Sequence, residues 1–138
     1  MGERLAIYTR APETQAGITR LRRQESICRN WADENGYNVV TVYKTLRRDP
    51  HPRWWTKLLK LVGIKPTDEA AKVLRKLVRS GKYDAVVATS VDRYGRDIRA
   101  FRRFLRRARR KSVRVFTVDL PGNLTEEIIA ALDPTYRP

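Results

Sequence analysis

Four short apolar runs, each separated from the next by a longer stretch with helical character, constrain this chain more than any other feature. Leu5–Tyr8, Val39–Tyr43, Ala85–Thr89 and Val113–Val118 read as strands, because each is too short for a helix and most are rich in β-branched or aromatic residues. Ala85–Thr89 is nearly continuously apolar, the pattern of a strand buried on both faces in a parallel sheet. The first strand ends in the polar stretch Thr9–Gln15. Ile18, Leu21, Cys28 and Ala32 then fall near one helical face, and Gly36 stops that helix, since glycine accepts positive φ. Ala70–Val78 carries a second helix, with Asp68 and Glu69 in its first turn and Gly81 just past its end. Ile98, Phe101, Leu105 and Ala108 stripe a third. This alternation predicts one α/β domain, a mainly parallel sheet of four or five strands flanked by helices.

Charge narrows the partners. The 138 residues hold 30 Lys+Arg against 15 Asp+Glu, a net charge of +15. Such an excess points to a polyanion, most simply nucleic acid; a merely solubilising surface is the bland alternative. Hydrophobic residues are 41% of the chain, enough for a real core, and no apolar run approaches the roughly 20 residues of a membrane span. Met1–Arg10 is too short and charged for a signal peptide. One Cys fits a reducing cytosol, and one His with one Cys makes no zinc-finger site. A cytoplasmic protein without metal or cofactor is the expectation.

Two segments stand outside the alternation. After the break at Asp49–Pro52, Arg53–Lys65 reads RWWTKLLKLVGIK. It is either a docking helix for a membrane surface, DNA or a protein partner, the last through Trp54, Trp55 and Leu58, or an extra core helix packed on the sheet. At the far end, Asn123 is placed to cap a helix over Glu126–Leu132, which Pro134 ends. The expected organisation is a single domain over 1–138, with an inserted amphipathic segment at about 49–66, a shortened C-terminal helix and no helix-turn-helix module.

Between Arg96 and Lys111 stand nine Lys or Arg residues, more than a solvated face needs, because like charges at i,i+4 repel. Arg99, Arg103, Arg106 and Arg110 form a stripe suited to a run of phosphates. Just before it, Ser90-Val91-Asp92-Arg93-Tyr94-Gly95-Arg96-Asp97 follows the third strand. That places a charged turn at the carboxyl edge of the sheet, where open α/β folds hold their sites. Arg93 and Arg96, with Arg10 at the end of the first strand, converge there as a phosphate clamp or, more blandly, as an Asp–Arg cluster tying the edge.

The run VDRYGRD (Val91–Asp97) resembles the DRLxR signature of the resolvase/invertase family of serine recombinases. LAIYTR (Leu5–Arg10) resembles that family's opening strand, Arg23–Tyr43 its first helix and second strand, and Leu77–Arg93 the approach to the signature. The resemblance implies a catalytic domain that cuts DNA without metal, through a serine that attacks the phosphodiester while arginines stabilise the charge. Carried over by position, it matches Arg10, Gln24, Asp92, Arg93 and Arg96 to the family's active-site groups, and Gln15 to a further glutamine with a one-residue deletion.

The nucleophile position holds Pro12, which offers neither a hydroxyl nor an N–H. Thr14, Ser90 and Ser26 are the nearest hydroxyls in sequence or motif. Lys65–Asp68 lacks the arginine that the resemblance calls for, and little chain follows Thr125 to form the family's long dimer helix. The expectation is therefore a catalytically impaired, recombinase-like protein, a monomer or weak dimer. It would bind nucleic acid, DNA first, in a regulatory role, encoded by a phage or other mobile element. The alternatives are an active recombinase with a substitute hydroxyl, and a protein-docking module built on Trp54 and Trp55.

Overall fold

The computed structural model describes residues 2–12, 14–47, 61, 65–66, 70–94 and 98–125. Five strands form one sheet: β1 (Arg4–Pro12), β2 (Asn38–Arg47), β3 (Lys65–Pro66), β4 (Ala85–Ala88) and β5 (Arg114–Thr117). Their order is β3-β2-β1-β4-β5 and every pairing is parallel. Among the described residues the helices that join them are α1 (Gln15–Asn35), α2 (Ala70–Arg79) and α3 (Ile98–Arg110), with a 3₁₀ turn at Val91–Tyr94 before the last. The α/β class and the parallel sheet are those expected; β3 is a two-residue edge strand beside Thr45 and Leu46.

Strand β1 is longer than its apolar run suggests. Its polar end stays in the sheet because its hydrogen-bonding groups are satisfied there: Thr9 Oγ1 donates to the Tyr43 carbonyl, and Thr45 Oγ1 donates to the Thr9 carbonyl, both at 2.8 Å. Pairing with β2 therefore runs on to Pro12 opposite Arg47. The register slips once, between Leu5 and Ala6.

Period-2 alternation splits the core into two layers. Leu5, Ile7, Ala85 and Val87 pack with Cys28 and Ala32 of α1. Ala6, Tyr8, Val86 and Ala88 pack with Leu74, Leu77 and Val78 of α2 and with Phe101, Phe104, Leu105 and Ala108 of α3. Phe104 widens the apolar face of α3 beyond the stripe read from spacing. Helix α1 ends where expected, at Gly36 with φ 75°.

Asn123 has a role that spacing did not show: its Oδ1 accepts from Val115 N at 2.9 Å, and Leu124 N donates to the Val115 carbonyl at 2.7 Å. β5 is an edge strand whose free backbone groups need partners, and residues 123–124 supply them. The 126–132 segment itself lies outside the described residues.

Candidate functional site

Strand order reverses at β1: the chain winds out through β2 and β3, then returns to lay β4 on the other side of β1. In open parallel sheets this switch point leaves a crevice at the carboxyl ends of the two central strands. Arg10 lies at that end of β1, and Arg93 lies in the 3₁₀ turn that follows β4. They meet: Arg93 Nη1 donates to the Arg10 carbonyl at 3.3 Å. Gln24 on α1 clamps the same residue from the other face, its Oε1 accepting from Arg10 N at 3.0 Å and its Nε2 donating to Arg10 O at 2.9 Å. A buried amide in the middle of an apolar helix face is thus explained, because it satisfies both backbone groups of a strand end that β4 does not reach.

The turn carrying Arg93 is fixed by its neighbour. Tyr94 is buried, stacks on Tyr8 (centroids 5.7 Å apart) and on Phe101 (5.5 Å), and donates its hydroxyl to the Phe116 carbonyl at 2.8 Å. Burial pushes the Tyr94 phenol well above its ordinary pKa, and burial raises Tyr8 as well. Sequence reading passed over Tyr94 as a positioning group; an aromatic ring inside an otherwise charged turn was the available signal. Ser90 Oγ donates to Asp92 Oδ1, tying the start of the turn. Arg93 Nε is shut away from solvent with no hydrogen-bond partner, a charged donor without an acceptor.

Pro12 ends β1, half-buried. Its carbonyl accepts from Thr14 N at 2.8 Å, and the first turn of α1 sits directly against it. Gly17 makes that approach possible, since a Cβ there would lie 1.8 Å from the Pro12 oxygen. Thr14 is the N-cap of α1, its hydroxyl accepting from Gly17 N at 2.9 Å. Gln15 opens α1, exposed, and Ser26 lies on the exposed side of the same helix.

The basic stripe lies on α3, where Arg99, Arg103, Arg106 and Arg110 are all exposed. Arg96 falls outside the described residues, as do Trp54, Trp55 and Leu58. Of the amphipathic insert, Leu61 is described and is 83% exposed. Among the described residues no group of three or more His, Cys, Asp or Glu is placed to hold a metal ion, and no helix is long and apolar enough to cross a membrane. Cys28 is buried, and burial pushes its thiol up to about 12. It is a packing residue.

A parallel α/β domain, with the Arg93 side chain bonded to the Arg10 carbonyl at its switch point, is the class that fold and geometry define. Its fold is similar to that of solved recombinase and integrase structures. The chain is similar to the C-terminal catalytic domain of ISC1926 TnpA, an IS607-like serine recombinase, at TM-score 0.61 and 24% identity over 94% of this chain and 77% of that one. It is similar to a resolvase family site-specific recombinase from Streptococcus pneumoniae at TM-score 0.65 and 16% identity, covering 94% and 83% of the two chains. The N-terminal catalytic domain of TP901-1 integrase aligns at TM-score 0.57 and 14% identity, covering 85% and 78%. At these identities the likeness is one of fold. No protein-family model matches the sequence, and no curated protein matches it.

Proposed function

We propose that this chain is a nucleic-acid-binding protein, with DNA as its first candidate ligand, built on a recombinase-like domain that does not itself cut the strand. The observation that carries this reading is the meeting of Arg10 and Arg93 at the switch point beside Pro12. Arg93 Nε lacks an acceptor, and a phosphate oxygen entering the crevice supplies one; leaving such a donor unsatisfied costs about 1–3 kcal/mol. Arg10, Arg93 and Arg96 act as a phosphate clamp, and Arg99, Arg103, Arg106 and Arg110 continue the track along α3. Phosphoryl attack needs an oxygen at the position of Pro12, and proline has none. The nearby Thr14 hydroxyl is engaged in capping α1. The role is regulatory, on the DNA of a phage or mobile element, in the cytoplasm of its host.

Incubation with supercoiled and nicked DNA, followed by denaturing electrophoresis with and without protease, tests the chemistry. The expected result is unmodified DNA. A protease-sensitive adduct on a 5′ end, mapped to Thr14 or Ser90, would establish the alternative of an active recombinase with a substitute nucleophile.

A further inference from the structure

Helices α2 and α3 pack side by side over one face of the sheet, joined through Leu74, Leu77 and Val78 on one and Phe101, Phe104 and Leu105 on the other. Neither helix contains an Asp or Glu. Helix α2 carries Lys72, Arg75, Lys76 and Arg79, and α3 carries seven arginines. Two helices that bury their apolar faces against each other and the sheet must turn those charges outward together. The two helices run the same way, from the carboxyl edge towards the amino edge. Arg79 therefore lies near the start of β4 and Arg110 near the start of β5, at the end of the sheet away from Arg10 and Arg93. Thirteen residues make α3 about 20 Å long, which is the scale of that separation.

Ion pairing among the described residues does not offset this charge. Among the described residues no carboxylate pairs with Arg75, Arg79, Arg103, Arg107 or Arg110. Arg107, partly exposed on α3, feels its neighbours: slight desolvation first, then the charges of Arg75, Arg103, Arg79 and Arg110, hold its pKa below the ordinary arginine value. Folding thus gathers like charges from two helices around one guanidinium, and a bound anion would relieve their mutual repulsion.

We propose that Arg75, Arg79, Arg103, Arg107 and Arg110 form a second phosphate-contact face, which takes the phosphodiester backbone of a nucleic acid at the end of the domain opposite the Arg10–Arg93 crevice. The inference rests on the nucleic-acid reading above and extends the track past the exposed stripe of α3 on to α2. Arg107 is the anchor, and Arg75 and Arg79 are contacts that the stripe alone does not include. Backbone contacts of this kind fix position without reading sequence.

The test is fluorescence anisotropy with a labelled duplex across a range of NaCl concentrations, on the wild type, Arg75→Gln/Arg79→Gln, Arg107→Gln, and, on the opposite face, Arg22→Gln/Arg29→Gln and Arg29→Gln as charge-matched controls for the double and single variants. Each lost phosphate contact removes about 0.9 from the slope of log K against log salt. The expected loss is about 2 for Arg75→Gln/Arg79→Gln and about 1 for Arg107→Gln, with both controls unchanged. Thermal denaturation gives a second readout. Tripolyphosphate should raise the wild-type melting temperature more than NaCl of equal ionic strength, and Arg107→Gln should melt higher than wild type without anion while losing most of that response. Wild-type binding with an unchanged slope in Arg75→Gln/Arg79→Gln overturns this inference alone. No binding by the wild type overturns the nucleic-acid reading with it, and capture of polyglutamate in preference to the duplex would assign the face to an acidic protein.

Discussion

Gly17 and Gln24 each hold the end of β1 in place, from different directions. A Cβ at position 17 would stand 1.8 Å from the Pro12 carbonyl oxygen, so Gly17→Ala must push α1 off the strand end. Overpacking of this kind costs about 1–3 kcal/mol, measurable as a lower denaturation midpoint in urea. Gln24→Ala leaves Arg10 N and O without the amide that satisfies both; the expected loss is about 1–3 kcal/mol, and binding should weaken as Arg10 loosens. Buried acids act at the other end of the pH scale. Burial pushes Cys28 from 9.0 up to about 12, and Tyr8, Tyr43 and Tyr94 are also raised above 10.0, burial being the main cause in each. The folded chain therefore keeps protons that the unfolded chain releases, and stability must fall as pH rises. It is fully present below about pH 9 and declines above it. Cys28→Ala should move that onset towards pH 10, where the tyrosines begin to titrate; an unchanged onset would show that the thiol does not contribute.

At the scale of elements, how much was legible in the sequence depended on where polar groups found partners. Strands and helices with plain apolar patterns, such as Ala85–Ala88 and the Leu21–Cys28–Ala32 face, were readable because burial alone decides them. The end of β1 was not, because Thr9 and Arg10 look like loop until Thr45 and Gln24 are seen to satisfy them. Asn123 shows the same dependence: its side-chain oxygen satisfies Val115 N at the edge of β5, a contact between elements that spacing along the chain does not reveal. The crevice arginines Arg10 and Arg93 were legible through motif resemblance, whereas Arg75, Arg79 and Arg107 were not, since their grouping exists only once α2 and α3 pack. Tyr94 joins three elements, stacking on β1 and α3 and bonding to the Phe116 carbonyl. Tyr94→Phe keeps the stacking and leaves that carbonyl short of its donor, so a loss of about 1–3 kcal/mol is expected in chemical denaturation, together with weaker nucleic-acid binding as the Arg93 turn shifts.

For the whole molecule, a net charge of +15 and two acid-free helices side by side make association through the α2–α3 face repulsive. Sedimentation at low salt should show a monomer or weak dimer, and a tight dimer would require another face. The same charge makes the central claim measurable. On the proposed reading, a track from the Arg10–Arg93 crevice along α3 reaches about five phosphates, which gives a slope of log K against log salt of roughly −4 to −5, with weak dependence on sequence because phosphate contacts carry no base information. A duplex titration at 50, 100 and 200 mM NaCl measures it directly. A steep linear decline in that range is the predicted result; binding that does not change with salt, or no binding at 50 mM, would contradict the account.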